Sequence, residues 1–105
     1  MSATAFDVLA NPVRRQLLEL LLDGPKTAGA LASRIALSRP AVSEHLQLLR
    51  RTELVRDRAV GRERYYQLNP APLLEASGWL KQFERYWQER LEALADVLDQ
   101  EEEQE

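Results

Sequence analysis

Residues 27–68, TAGALASRIALSRPAVSEHLQLLRRTELVRDRAVGRERYYQL, predict a winged helix-turn-helix. The fold class is mainly α with a small β-hairpin, in the order α-α-α-α-β-β-α. Three observations predict it. Two apolar stripes of helical period flank a tight turn at Ala36-Leu37. A β-forming stretch with a glycine turn follows them. Eight arginines against four acids fall between Arg34 and Arg64.

Each element has a local cause. Ala3–Ala10 is a short helical lead with Phe6 and Leu9 three apart. Asn11-Pro12 restarts the helix, because Asn caps well and Pro fits the first helical position. Val13, Leu17, Leu20 and Leu21 form its core stripe, widened by Leu18 and Leu22, and Gly24-Pro25 ends it. Thr27 caps the next helix, with Leu31 and Ile35 pointing inward; a close helix–helix contact would account for Gly29 there, though the sequence does not show one. Ser38 caps the following helix, with Pro40 in its first turn and Val42, Leu46 and Leu49 facing the core. Strands are expected near Leu54–Ala59 and Arg62–Leu68 around a Val60-Gly61 turn. Asn69-Pro70-Ala71-Pro72 reads as a break. One long helix then runs from about Leu73 to Asp99. Its period, with Leu80, Trp87 and Leu94 seven apart and Leu91 and Leu98 likewise, is longer than a small core needs.

The chain has 105 residues, so a single domain over 1–99 is expected, with 100–105 as a disordered acidic tail. A core this small gains from pairing with a second copy. No cysteine is present, which removes disulfides, thiol redox sensing and thiolate metal sites. No run of about 18 apolar residues suggests a membrane span. The start, MSATAFDVLANP, lacks the pattern of a secretory signal, so a cytoplasmic protein is expected. The net charge of −3 averages two unlike parts. Residues 1–78 carry 11 basic and 8 acidic residues; residues 79–105 carry 3 and 9. Local positive charge, not the total, attracts phosphate.

The residues outside the core stripes suit double-stranded DNA. Arg39, Ser43 and Gln47 fall at i, i+4 and i+8 on the outward face of the helix after the turn, with Pro40, Glu44 and Arg50 beside them. Arg pairs with guanine, Gln with adenine and Ser with base or phosphate. Glu44 either accepts from cytosine N4 or excludes phosphate. His45 is either a packed structural histidine or a DNA contact. Arg58, Arg62 and Arg64 belong to the hairpin, and Arg62, beside Gly61, is favoured for the minor groove or phosphate. Thr27, Arg34 and Ser38 complete the expected phosphate contacts, Thr27 and Ser38 while also capping. Arg14 and Arg15 read as surface or structural residues. Trp79, Phe83, Tyr86 and Trp87 form an aromatic cluster, read as core or interface in preference to a ligand pocket.

Three segments together resemble the ArsR/SmtB family of winged-helix transcriptional repressors. FDVLANPVRRQLLELL resembles the family's opening. LSRPAVSEHLQLLRRTELV resembles its recognition helix, with the SxHLxxL core at Ser43-Glu44-His45-Leu46-Gln47-Leu48-Leu49. GRERYYQL resembles the second strand of its wing. The resemblance implies a homodimer built through the first and last helices, here Phe6, Leu9, Leu80, Phe83, Trp87, Leu91, Leu94 and Leu98. It also implies an inverted-repeat operator and repression of a nearby operon, often including the repressor's own gene. The family's usual metal sites have no counterpart: there is no cysteine, and the last helix has no histidine. No metal and no cofactor are therefore expected. Glu53 departs from the family, which commonly has Gly there to relieve a left-handed turn.

A protein-interaction module on the same fold is the competing function, motivated by the acidic tail and aromatic last helix and opposed by the outward arginines. An enzyme is not expected, since no nucleophile–base set, phosphate loop or cofactor motif is present. The inducing signal, a small molecule, a protein or none, is left open by the residues.

Overall fold

A computed structural model describes residues 4–103. In chain order the helices are α1 (Ala5–Leu9), α2 (Pro12–Leu20), α3 (Ala28–Ala32), α4 (Arg39–Arg51), α5 (Pro70–Lys81) and α6 (Glu84–Glu103). The strands are β1 (Lys26–Thr27), β2 (Val55–Val60) and β3 (Glu63–Leu68), and a 3₁₀ turn spans Leu21–Asp23. Residues up to Leu74 and residues from Glu75 on form two compact units.

The expected caps are in place. Asn11 Oδ1 accepts from the N–H groups of Val13 and Arg14 at 2.9 and 3.2 Å. Thr27 Oγ1 accepts from Ala30 at 3.1 Å, and Ser38 Oγ from Ala41 at 3.3 Å. Each satisfies an N–H that the first helical turn would leave without a partner. The core of the first unit collects Val8, Leu17, Leu21, Leu31, Val42, Leu46, Leu49, Leu54 and Val55, none more than 2% exposed. Burying a leucine side chain contributes about 1.5–3 kcal/mol. Three such residues on one face of α4, Val42, Leu46 and Leu49, fix which face of that helix turns outward.

Helix α4 ends in a Schellman motif. The Leu54 N–H bonds to Leu49 O at 2.9 Å and the Glu53 N–H to Arg50 O at 3.0 Å. The motif puts Glu53 at φ +62°, the only non-glycine positive φ among the described residues. Asn69, 5% exposed, braces the corner by donating from Nδ2 to Glu53 O at 2.7 Å. The chain thus keeps the left-handed turn without the usual glycine. Glu53→Gly is expected to stabilise the fold by up to about 1 kcal/mol, the left-handed cost, less the extra freedom Gly gives the unfolded chain. Urea unfolding checks it; an unchanged or lower midpoint would mean that Asn69 already removes the strain.

The sheet holds three strands, not only a hairpin, in the order β1-β3-β2, all antiparallel. Val60 pairs with Glu63, leaving Gly61 and Arg62 as a two-residue loop. Of that pair only Gly61 has positive φ (+63°), as a type II′ turn requires. The Asp57↔Tyr66 and Ala59↔Arg64 register gives Asp57, Ala59, Arg64 and Tyr66 one face of the hairpin. Arg56, Arg58, Glu63 and Tyr65 take the other.

Several boundaries differ from expectation. Helix α3 stops at Ala32, so Ile35 is buried from the following turn, which also carries Arg34. A Cβ added at Gly29 would meet only Thr27 Oγ1, at 4.0 Å, so no tight helix–helix contact explains that glycine. Pro70 opens α5 where a break was expected. The expected single last helix is two, interrupted at Gln82-Phe83, although neither Gly nor Pro stands there. The aromatic ladder continues across the interruption, with Trp79–Phe83 and Phe83–Trp87 ring centroids 4.9 and 6.1 Å apart. The helix expected to end at Asp99 runs to Glu103, because Glu is a good helix former even in an acidic run. Of the expected 100–105 tail, residues 104 and 105 lie outside the described residues.

Candidate nucleic-acid interface

The outward face of α4 follows from its buried one. At about 100° per residue, Pro40, Glu44, Gln47 and Arg51 stand opposite Val42, Leu46 and Leu49. All four are exposed. Arg39, Ser43 and Arg50 occupy the flank toward the wing. Arg51 sits beside Gln47 and Arg50 on a shallow surface.

The wing and α3 complete a basic groove of about 370 Å³. It is lined by Thr27, Ala28 and Gly29 at the start of α3, Arg39 and Ser43 on α4, and Arg62, Glu63, Arg64 and Tyr66 of the wing, three arginines against one acid. Five of the expected contact residues, Thr27, Arg39, Ser43, Arg62 and Arg64, therefore meet around one space. Ser38, the cap of α4, is exposed and is not part of this lining. Arg34 is exposed in the turn after α3 and is not part of this lining. Arg58 lies on the opposite face of the hairpin and does not join the groove. On that face Tyr65 donates its hydroxyl to Glu63 at 3.0 Å, and the neighbouring carboxylate raises the phenol above its usual range.

His45 is placed differently from the other α4 residues. It stands about 200° around the helix from Ser43. Its Nδ1 accepts a 3.2 Å hydrogen bond from Arg14 Nε on α2. Of the two roles left open for His45, this bond fits the structural one. Arg14 is its partner, which fits a structural role for Arg14 as well.

Two of the expected contacts, Arg50 and Arg64, share an acid. Asp57 Oδ1 lies 3.3 Å from Arg50 Nε, and Asp57 Oδ2 accepts from Arg64 Nη1. The Asp57 side chain is 10% exposed, those of Arg50 and Arg64 59% and 53%. Asp57 is not among the residues expected at the site from the sequence. Nothing in its spacing signals a role, because the contact depends on the strand register.

The second unit carries a different surface. On α6, Trp87, Leu91, Leu94 and Leu98 fall within about 60° of arc. Each is about half exposed or more, as are Tyr86 and Val97 beside them. Leu80 on α5 is 40% exposed, and Phe83 is half-buried in the aromatic ladder. A stripe this apolar on a water-facing helix marks an interaction surface. On α1, Phe6 is half exposed, whereas Leu9 packs against the core of its own unit. Among the described residues no helix is long and apolar enough to cross a membrane.

Comparison with known proteins finds helix-turn-helix transcriptional regulators. A helix-turn-helix domain model matches residues 9–58. The HTH-type transcriptional regulator Rv2034 of Mycobacterium tuberculosis is 39% identical over 97 residues, covering 92% of this chain and 88% of that protein. The transcriptional repressor SdpR of Bacillus subtilis is 36% identical over 78 residues, covering 74% and 87%. An ArsR-like transcriptional regulator from Rhodococcus superposes with a TM-score of 0.67 at 32% identity, covering 88% of this chain and 87% of that one.

Proposed function

From the premise that the chain belongs to the ArsR/SmtB family of winged-helix, DNA-binding transcriptional regulators, we propose that it is a homodimeric repressor. It reads an inverted-repeat operator, and its own gene is a candidate target. It is a regulator and not an enzyme. The observation that carries the DNA-reading part is the groove in which α3, α4 and the wing bring Thr27, Arg39, Ser43, Arg62 and Arg64 together.

The mechanism is steric. Two copies of α4 enter successive major grooves, about 34 Å apart, and exclude polymerase. Arg39, Ser43 and Gln47 reach base edges, with Pro40 and Glu44 shaping the approach. Thr27, Arg34, Ser38, Arg50, Arg62 and Arg64 hold phosphates and set the register. Arg58 contributes general positive charge. Leu80, Phe83, Trp87, Leu91, Leu94 and Leu98 form the apolar surface of the dimer, and Phe6 on α1 supplies a separate apolar contact. The protein acts on cytoplasmic DNA, with no metal or cofactor required for binding.

Transcription in vitro from the promoter upstream of its own gene tests the repressor role. The expected result is a loss of transcript that tracks occupancy of a footprint overlapping the promoter. A footprint accompanied by increased transcript would replace repression with activation. A protein that leaves no footprint there is not autoregulatory.

A further inference from the structure

We propose that Asp57 is a positioning residue for DNA recognition, acting through Arg50 and Arg64. Its two carboxylate oxygens are divided between them, one guanidinium on α4 and one on β3. Asp57 is thus the one described acid whose ion pairs join the recognition helix to the wing. A single bridge of this kind fixes the wing's angle against α4, and with it the shape of the groove lined by Arg39, Arg62 and Arg64.

The arrangement leaves both arginines able to work. A guanidinium has five donor hydrogens in a planar fork. Arg50 engages Asp57 through Nε, and Arg64 through Nη1. Each keeps other donors for a phosphate while it stays bound to the carboxylate. Arg50 and Arg64 are more than half exposed, whereas the Asp57 side chain is mostly covered. The acid therefore orients two water-facing cations and does not neutralise a buried pair. A negative charge inside a DNA-binding face also weakens attraction to any DNA. Its presence makes sense where fixed geometry gains more on the correct sequence than the lost charge forfeits on every sequence.

This inference rests on the DNA-reading function proposed above. Asp57→Asn keeps the shape of the side chain, removes the charge and leaves one good acceptor for two arginines. Binding is measured by fluorescence anisotropy on the operator and on a scrambled duplex of the same composition, for wild type, Asp57→Asn, Arg64→Gln and the double variant. Asp57→Asn is expected to bind scrambled DNA as well as wild type or better and the operator more weakly. The operator-to-scrambled ratio should fall roughly tenfold, within the range of coupling between residues in one charge network. Arg64→Gln should cost less in the Asp57→Asn background than in wild type. A merely structural role would lower binding to both DNAs alike and lower the thermal midpoint, and that result overturns the proposal. An unchanged ratio, or strictly additive effects of the two substitutions, overturns it as well. A wild-type protein that does not discriminate between the duplexes removes the DNA-reading function, and this inference with it.

Discussion

Leu94→Glu is expected to turn the protein monomeric and to weaken operator binding by about a hundredfold or more. Leu94 lies in the middle of the α6 stripe, between Leu91 and Leu98, and is 55% exposed in the single chain. In a dimer sealed by this stripe the position loses its water. A carboxylate there must be desolvated without a partner, which costs several kcal/mol. The buried leucine contribution of about 1.5–3 kcal/mol is lost at the same time, once from each protomer. Binding to an inverted repeat then loses the second, tethered contact, and effective-concentration arguments put that loss at 10²–10⁴-fold. The core of the first unit is built from residues up to Leu73, so its folding is expected to be unaffected. Sedimentation equilibrium gives the oligomeric state, and circular dichroism confirms the fold. A variant that remains dimeric would move the interface away from α6.

Arg39→Ala has the second largest expected effect, a loss of about 10- to 100-fold in operator affinity for the dimer. Arg39 is the first residue of α4, exposed, and lines the groove beside Ser43 and Arg62. A bidentate arginine–guanine pair contributes about 1–3 kcal/mol of discrimination; the low end, made twice in a dimer, gives about 2 kcal/mol, a loss of about 30-fold. Two measurements separate base reading from phosphate holding. If Arg39 reads a base, the variant tolerates changes at one position of each half-site. If it holds a phosphate, binding weakens on all sequences and the salt slope falls by about one per half-site. Arg58→Ala is the control, since Arg58 lies on the far face of the hairpin; it is expected to change operator affinity less than about threefold, as a distant charge would. Arg39→Ala and Arg62→Ala that both leave operator binding intact would favour an interaction module over a DNA reader.

Much of the fold is legible because it is local. Asn11, Thr27 and Ser38 announce helix starts through a side-chain acceptor next to the first helical residues. Val42, Leu46 and Leu49 announce a buried face through spacing alone, and Gly61 announces the hairpin turn. Strand β1 is not legible: two residues carry no period, and Lys26-Thr27 is a strand only because it pairs with Tyr65 and Tyr66 of β3. Asn69-Pro70 carries the same helix-starting signal as Asn11-Pro12, but a second proline at Pro72 disguises it as a break. The interruption at Gln82-Phe83 has no local signature. The same division holds in the site. Outward arginines follow from helical spacing, whereas the Arg14–His45 bond and the Asp57 bridge join residues from different elements. Glu53 is legible as an anomaly, and its remedy, the Asn69 brace sixteen residues on, is not.

Sequence-specific reading of DNA by a dimer is tested most directly by selecting binding sites from a pool of random duplexes and titrating the winners with purified protein. The expected outcome is enrichment of an inverted repeat with half-sites about 10 base pairs apart, bound by two protomers and preferred over scrambled DNA at moderate salt. A pool that does not enrich, with weak binding to every duplex that disappears as salt rises, would contradict it and leave only nonspecific attraction between the arginines and phosphate.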